Sequence, residues 1–249
     1  MRYLIALLLF VLPASAETVV LGLSQDEVAI TTSFDGSEIL IFGAVKRESP
    51  IPDGELGVIV TVAGPSTPVF VWRKARRYGI WVNSDGVEID EAPSFYAVAT
   101  SANFSDVLSN VEDLRHKISV PSMIRSVGAP MSILDAGSFT DALIRIREGT
   151  DQFQLLEGKV VVDDETLFRT RVRLPAALTE GAYATRIFLT REGEVISKYE
   201  TAIDVRKVGL ERWLYATSRE QPLLYGLMSL AIAIAAGWGA SAAFSLLRQ

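Results

Sequence analysis

The chain contains 249 residues, with no cysteine, one histidine and a formal net charge of −6. Disulfides, thiol catalysis and covalent haem attachment are therefore excluded, and a single histidine argues against an ordinary zinc site. All 30 acidic residues and 22 of the 24 basic ones lie between Glu17 and Glu220, because only Arg2 and Arg248 fall outside. This acidic balance argues against nucleic acid as a partner.

The two ends of the chain are apolar, but they differ in length. Leu4 to Leu12 form a short apolar run that precedes the small residues Ala14-Ser15-Ala16. This arrangement predicts a secretory signal peptide over residues 1–16, removed after Ala16. Residues 222–247 carry no charge and exceed the roughly 20 residues that a spanning helix needs. We therefore expect a periplasmic ectodomain tethered to a bacterial inner membrane by one C-terminal transmembrane helix.

The segment after the signal peptide alternates short β-strand patterns with turn residues. The predicted strands are Thr18–Leu23, Glu27–Thr32, Glu38–Val45, Leu56–Val62, Val69–Arg73 and Gly79–Asn83. The predicted turns are Asp35-Gly36, Pro50 to Gly54, Gly64-Pro65 and Ser84-Asp85-Gly86. Such a density of short strands and turns is typical of a β-sandwich.

A change of period marks the end of this first domain. Apolar residues over Asn103–Ile118 recur at helical spacing, which predicts one amphipathic helix. Pro121 and Gly128-Ala129-Pro130 then interrupt regular structure, so we assign residues 17–120 to a first sandwich domain. The next segment, Ser138–Glu148, fits either a helix or a strand, and we favour a helix or an extended arm.

A second domain is predicted over residues 121–208. Its strand patterns are Leu155–Val162, Leu167–Leu174, Gly181–Arg191 and Glu194–Arg206, with hairpin turns at Asp163-Asp164-Glu165 and Arg191-Glu192-Gly193. The segment from Leu174-Pro175 to Tyr183 is typical of the corner of an immunoglobulin-like sandwich, where the chain changes sheets before a tyrosine-bearing strand. The predicted fold is thus mainly β: two immunoglobulin-like or related β-sandwich domains followed by a transmembrane α-helix.

The link to the membrane is predicted to be a short helix over residues 209–221. Leu210, Trp213 and Leu214 fall on one helical face, with charged residues elsewhere. Tryptophan and tyrosine favour the boundary between lipid and water, so this helix is expected to lie at the headgroup level.

The inventory of reactive side chains favours a protein without catalytic, metal or cofactor sites. His116 is expected on the polar face of the predicted helix, beside Glu112 and Asp113, where a solvated surface histidine is the simplest interpretation. A periplasmic hydrolase that uses His116 or a carboxylate pair remains an alternative. A passive structural protein of the envelope is a further alternative.

One basic segment stands out against the acidic ectodomain. Four cations lie between two tryptophans in the sequence from Val71 to Asn83. Because arginine binds carboxylates and phosphates and stacks on aromatic rings, this segment is a candidate contact for an anion, a headgroup or an acidic partner. Its residues are Arg73, Lys74, Arg76, Arg77, Trp81 and Asn83. The alternative is a charged hairpin end with Trp72 and Trp81 packed in the core.

Small residues recur every four positions in the predicted span. A face of this kind lets another helix approach closely, so we interpret it as a candidate helix–helix contact with a protein partner. The residues are Ser229, Ala233, Gly237, Ser241 and Ser245. The alternative is that alanine and glycine are common in bacterial spans generally.

Several motifs together resemble one known family. They are Gly64-Pro65, Arg73-Lys74-x-Arg76, Gly79-Ile80-Trp81-Val82-Asn83, Pro93-Ser94-Phe95-Tyr96, Leu224-Tyr225-Gly226 and Gly237-Trp238. With the signal peptide they resemble the alphaproteobacterial putative transmembrane protein family, over almost the whole mature chain. The resemblance implies a periplasmic domain with one C-terminal span. It also implies a permease of the sulfite-exporter type as a partner, and it supplies no catalytic residues.

The sequence therefore predicts a membrane-anchored periplasmic interaction protein, accessory to an inner-membrane complex or transporter. One signal opposes this topology: Lys207, Arg212 and Arg219 precede the span while only Arg248 follows it, and basic flanks favour the cytoplasm. We expect the cleaved signal peptide to prevail, because it commits the ectodomain to export before the span is made.

A reporter fusion tests this topology. A reporter that works only in the periplasm, joined after Arg206, should be active. The matched fusion to a reporter that works only in the cytosol should be inactive. Activity of the cytosolic reporter alone would show that the ectodomain is not exported.

Overall fold

A computed structural model of the protein describes residues 17–31, 34–47, 54–128, 133–208 and 210–247 and is mainly β. The predicted signal peptide lies outside the described residues. The strands are β1 Glu17–Leu23, β2 Glu27–Ile30, β3 Ser37–Arg47, β4 Leu56–Ala63, β5 Ser66–Arg77, β6 Ile80–Pro93, β7 Tyr96–Thr100, β8 Phe153–Leu156, β9 Val161–Asp163, β10 Leu167–Leu174, β11 Gly181–Arg191 and β12 Glu194–Lys207. The helices are α1 Phe104–Val107, α2 Asn110–His116, α3 Val120–Met123, α4 Gly137–Glu148, α5 Leu210–Glu220 and α6 Pro222–Leu247.

Two sheets form a sandwich, and a separate two-stranded ribbon extends from it. The four-stranded sheet has the order β1-β3-β10-β9 and the six-stranded sheet has the order β2-β12-β11-β4-β7-β8. The main core lies between the two sheets, where residues such as Ile41, Val60 and Ile187 are fully buried. A second core lies on the outer face of the six-stranded sheet, under α1 to α3. The ribbon consists of β5 and β6.

The strands β4 and β7 are buried at every position because the six-stranded sheet is covered on both faces. A strand buried on both faces loses the alternation of polar and apolar residues. The sequence of β7, Tyr-Ala-Val-Ala-Thr, therefore has no alternating pattern that would predict a strand. Its Tyr96 hydroxyl donates to the carbonyl of Ile118 at 2.7 Å, and burial raises the pKa of this tyrosine.

The predicted pair of immunoglobulin-like sandwich domains is not confirmed. Strands from both sides of the predicted boundary at residues 120 and 121 share both sheets: Ile41 in β3 lies opposite Thr170 in β10, and Val60 in β4 lies opposite Ile187 in β11. The two halves of the chain thus build a single sandwich. Periodicity shows that a strand is half-buried, but it does not show which strand lies beside it.

The change of sheet predicted before Tyr183 is present, whereas the immunoglobulin-like character of this corner is not confirmed. The chain leaves the four-stranded sheet at the end of β10 and enters the six-stranded sheet with β11. Tyr183 is buried, and its hydroxyl donates to the carbonyl of Thr179 at 2.9 Å. Burial raises the pKa of Tyr183.

The prediction of one continuous helix over Asn103–Ile118 is wrong. It consists of two short helices, because Leu108 is extended, with φ of −144°, and ends α1. The Ser109 side chain then accepts the amide hydrogen of Glu112 and starts α2. Of the alternatives for Ser138–Glu148, the helix is correct. The predicted strand Leu155–Val162 is divided into β8 and β9.

A buried ionic network fixes the start of β1 to the sandwich. The Glu17 side chain is 4% exposed, and it accepts hydrogen bonds from Arg47 at 2.6 Å and from Arg191 at 3.0 Å. Arg191 also contacts the carboxylate of Glu165 at 3.2 Å. Burial raises the pKa of Glu17, but the hydrogen bonds and charges of both arginines outweigh it and leave the pKa below its usual range.

Glu17→Gln should destabilise the protein at pH 7 by about 3–5 kcal/mol, because it removes the charge that neutralises two largely buried arginines. A carboxyl group whose folded pKa is lowered stabilises the fold above its unfolded pKa, about 4.3, and loses this contribution as the pH falls through the folded value. The stability difference from wild type should therefore shrink below about pH 4.

Urea unfolding of the full-length protein in detergent micelles, followed by circular dichroism, measures both values. Glu194→Gln is the matched control, because Glu194 is exposed at the start of β12. An equal effect of the two substitutions at pH 7 would contradict the role of the Glu17 network.

Candidate functional site

The basic segment predicted from the sequence forms the end of the β-ribbon. The strands β5 and β6 pair along their length, from Ser66 opposite Pro93 to Arg77 opposite Ile80. Tyr78 and Gly79 form the turn, with φ of 51° and 86°. Positive φ at both central positions is the pattern of the tight hairpin turns that match strand twist, and glycine adopts it without strain.

The turn predicted at Ser84-Asp85-Gly86 is wrong, because these residues lie inside β6. The register shifts there: Arg73 lies opposite Asp85 and Lys74 lies opposite Asn83, so Ser84 is an extra residue in its strand. The Ser84 hydroxyl donates to the carbonyl of Arg73 at 3.1 Å. The turn signal in the sequence therefore marks a β-bulge, which bends a strand without ending it.

The inner face of the ribbon packs on α4. Val71, Val87 and Ile89 are buried there against Phe139 and Leu143, in a small core of their own. This cluster explains how a two-stranded ribbon, which is only marginally stable alone, keeps a defined shape.

Arg73 belongs to this packing and not to a free basic patch. Its guanidinium contacts the Asp135 carboxylate at 2.5 Å and the Ser138 hydroxyl at 2.7 Å, and it lies 4.5 Å from the centre of the Phe139 ring. The hydrogen bond to Asp135 raises the pKa of Arg73, and the same bond lowers the pKa of Asp135. Arg73 therefore joins the ribbon to the start of α4.

A second arginine joins the base of the ribbon to the end of α4. Arg147 donates a hydrogen bond to the carbonyl of Pro93, the last residue of β6. Its guanidinium lies 5.2 Å from the centre of the Phe153 ring, and burial lowers its pKa. The helix α4 thus holds the ribbon at both of its own ends.

The outer face of the ribbon carries exposed aromatic rings. Phe70 and Trp72 are about half exposed, and their ring centres are 4.7 Å apart. Both rings cover the backbone of Gly86, where an added Cβ would lie 2.4 Å from Phe70 and 2.9 Å from Trp72. The alternative in which Trp72 and Trp81 pack in the core is wrong, since Trp72 is 53% exposed and Trp81 is 67% exposed.

The ribbon tip, defined as residues 74–83, lies beyond Arg73, which contacts the start of α4. The register places Arg76 opposite Trp81 and Lys74 opposite Asn83, so these four predicted residues share one face. Arg77 lies opposite Ile80 on the other face. Tyr78, Ile80 and Trp81 are all at least 65% exposed. Of the six predicted contact residues, the structure brings five together at the tip and assigns Arg73 elsewhere.

The tip is basic and the base of the ribbon is acidic. Within the part of the chain that the structure describes, no carboxylate forms an ion pair with Lys74, Arg76 or Arg77. Residues 74–83 include no acidic side chain. The acidic residues of the ribbon are Asp85, Glu88, Asp90 and Glu91, all of which lie between the bulge and the base.

His116 is not the solvated histidine expected from the sequence. It ends α2 with its side chain only 23% exposed, and its Nε2 lies 3.3 Å from the Glu112 carboxylate. Its ring packs on Phe188 at 5.6 Å between centres, and its carbonyl accepts a hydrogen bond from Arg186. The described residues include no group of three or more side chains suited to hold a metal ion.

The predicted span is a continuous helix. Within α6, the segment Pro222–Ala240 is long and apolar enough to cross a membrane and is not buried by the rest of the protein. The Ser229 hydroxyl donates to the carbonyl of Tyr225 at 2.9 Å, so it is satisfied within its own helix. Ala233 and Gly237 continue this row, whereas the side chains of Ser241 and Ser245 lie outside the described residues. The helix–helix contact stays a prediction.

These observations define a class: a mainly β protein with a candidate C-terminal span and an exposed aromatic and basic ribbon. Within that class, the chain belongs to the family described as putative transmembrane protein (Alph_Pro_TM), whose match covers residues 18–245. The family resemblance predicted from the sequence motifs is thereby confirmed. A comparison with curated proteins found no match.

Trp81→Ala should leave the free energy of unfolding within about 0.5 kcal/mol of wild type, because the ring is largely exposed.

Phe139→Ala should lower the free energy of unfolding by about 3–5 kcal/mol, because it empties the core between the ribbon and α4 and removes the ring beside Arg73. Unfolding by urea in detergent micelles gives both numbers. A loss above about 2 kcal/mol for Trp81→Ala would show that the tryptophan is a packing residue.

Proposed function

We propose that this protein is a non-enzymatic, membrane-anchored interaction protein of the periplasm, and that the ribbon tip is its contact surface. The observation that carries the proposal is the exposure of Tyr78, Ile80 and Trp81 beside three cations without ion pairs in the described structure. Exposed apolar groups in one patch mark contact sites in soluble domains, and aromatic residues with arginine dominate such contacts.

The way in which the ribbon is held supports this role. Arg73 and Arg147 fix it to the two ends of α4, and the inner face is packed against Phe139 and Leu143. A preorganised surface loses less conformational entropy when it binds than a flexible loop does. Binding at the tip therefore does not require the loss of conformational entropy that ordering the two strands would cost.

The environment of His116 supports a structural role over a catalytic one. A general base needs its nitrogen within reach of a substrate proton. Here Nε2 lies 3.3 Å from the Glu112 carboxylate, and the ring contacts Phe188 in a tilted arrangement with 5.6 Å between ring centres. We therefore assign His116 to the packing of α2 on the six-stranded sheet.

The tether suggests the setting in which the contact is made. A single span in the inner membrane would keep the ectodomain next to membrane complexes, and the small residues of α6 would let a partner helix approach closely. We propose an accessory role at an inner-membrane complex or transporter, with a permease as the kind of partner implied by the family resemblance.

A cysteine-protection experiment tests whether the tip is covered in the cell membrane. The chain has no cysteine, so Ile80→Cys introduces a single thiol at the exposed tip. In native membranes that thiol should react with a water-soluble maleimide at least tenfold more slowly than in detergent. Equal rates in membranes and detergent would refute the tip as a contact surface.

Glu194→Cys is the matched control for that experiment. Glu194 is exposed at the opposite end of the six-stranded sheet from the base of the ribbon. Its thiol should react at similar rates in native membranes and in detergent. Slow reaction of both thiols in membranes would indicate poor reagent access and would call for opened vesicles.

A further inference from the structure

We propose that the ribbon tip seats in the anionic headgroup layer of the same membrane that holds α6. The inference rests on the proposed function, because it names the occupant of the contact surface assigned there. The occupant is a lipid surface rather than a protein, for reasons of position, side-chain chemistry and the distribution of charge along the ribbon.

The base of the ribbon and the start of the tether lie at the same end of the six-stranded sheet, where β4 and β12 finish and β11 begins. Pairing places Ala63, the last residue of β4, opposite Ala184 near the start of β11. The start of β11 in turn lies opposite the end of β12, with Gly181 paired to Val205. The ribbon begins three residues after Ala63, and α5 begins three residues after the end of β12. The ribbon and the tether therefore leave the sheet from neighbouring points.

Pro65 connects these two points directly. It lies at the base of the ribbon and packs on Gly181, where an added Cβ would lie 2.5 Å from the proline ring. Gly181 also has a φ of +146°, a region that favours glycine. This contact keeps the base of the ribbon beside the strand end that leads to the membrane.

The side chains of the tip match the boundary between lipid and water. Tryptophan and tyrosine concentrate at that boundary, where an apolar ring meets lipid and its polar atom meets water. Trp81 and Tyr78 provide such rings, and Ile80 provides a purely apolar group. Lys74, Arg76 and Arg77 surround them with positive charge, which anionic headgroups attract.

The distribution of charge along the ribbon favours a flat anionic surface as the partner, because such a surface would contact only the basic tip. The acidic residues at the base begin at Asp85, which lies next to Arg73, and continue to Glu91. Asp85, the acidic residue of the ribbon nearest to the tip, is four residues from Trp81, which corresponds to about 13 Å of extended strand. Screening removes most repulsion over more than about 8–10 Å, so a surface at the tip would not be repelled by the base. An acidic protein lying along the whole ribbon would meet both signs of charge.

The tether makes even a weak lipid contact effective. Because α6 fixes the ectodomain to the bilayer, seating of the tip is an intramolecular step with a high effective concentration. Two attachments, at α6 and at the tip, would then fix the orientation of the sandwich on the membrane. A membrane that lost its anionic lipid would release the tip while keeping the span.

The test uses the full-length protein in lipid nanodiscs with no other protein present. An environment-sensitive fluorophore is attached to Ile80→Cys, and the same label on Glu194→Cys serves as the control. In nanodiscs that contain phosphatidylglycerol, the label at position 80 should shift to a blue emission and be shielded from a water-soluble quencher. In nanodiscs of phosphatidylcholine alone it should stay quenchable, and the control label should stay quenchable in both.

Variants that remove single charges then measure the electrostatic contribution to the binding of the tip to the lipid surface. Each of Lys74→Gln, Arg76→Gln and Arg77→Gln should lower the ratio of seated to released label by about fivefold, the effect of one cation at an anionic surface. Arg171→Gln, which removes an exposed cation on β10, should leave the ratio unchanged. These variants are at exposed positions, so loss of seating cannot be attributed to unfolding if circular dichroism matches wild type.

The outcomes separate the occupant from the contact surface itself. Shielding that needs phosphatidylglycerol and falls with the tip cations supports the inference. A label that stays quenchable in both lipids overturns it, and if the thiol is still protected in native membranes, the occupant there is a protein. Equal shielding in both lipids overturns the recognition of anionic headgroups.

Discussion

The pairing of β4 with β11 is the constraint on which the rest of the structure depends. It joins a strand from the first half of the chain to one from the second, with Val60 opposite Ile187 at its centre, both fully buried. Neither half could close the sandwich alone, because each would leave a hydrophobic strand edge unpaired. The same pairing brings the end of β4 to the start of β11. The base of the ribbon and the start of the segment that leads to α5 and α6 therefore lie at the same end of the sheet.

The ribbon illustrates how one sequence signal can have different structural outcomes. Gly79 was predicted to begin a strand, yet it forms the turn together with Tyr78. Ser84-Asp85-Gly86 was predicted as a turn and forms a bulge. The hydroxyl of Ser84 satisfies a strand carbonyl there, which is the same chemistry that turns use. Which use applies depends on the pairing partner across the ribbon.

Arg73 and Arg77 show why candidate contact residues could be identified only in part. Both belong to one basic run in the sequence, and nothing local distinguishes them. In the structure, Arg73 faces α4 and binds Asp135, which lies 62 positions away, whereas Arg77 is exposed beside Ile80 at the tip. Charge composition revealed the surface, but the facing helix decided which cations remain exposed on it. Trp72 and Trp81 are exposed for the same reason, since α4 covers only the opposite face.

The sequence by itself determined the local features of this protein: most strands, the hairpin turns of the second half, the corner before Tyr183, and the long apolar helix at the C-terminal end. These follow from periodicity, turn residues and length, which act over a few neighbouring positions. Only the tertiary structure decided that the two halves form one sandwich, that β7 is a central strand, and that His116 is half-buried on Phe188. These features depend on contacts between residues far apart in the chain, and strand periodicity carries no information about the identity of the neighbour.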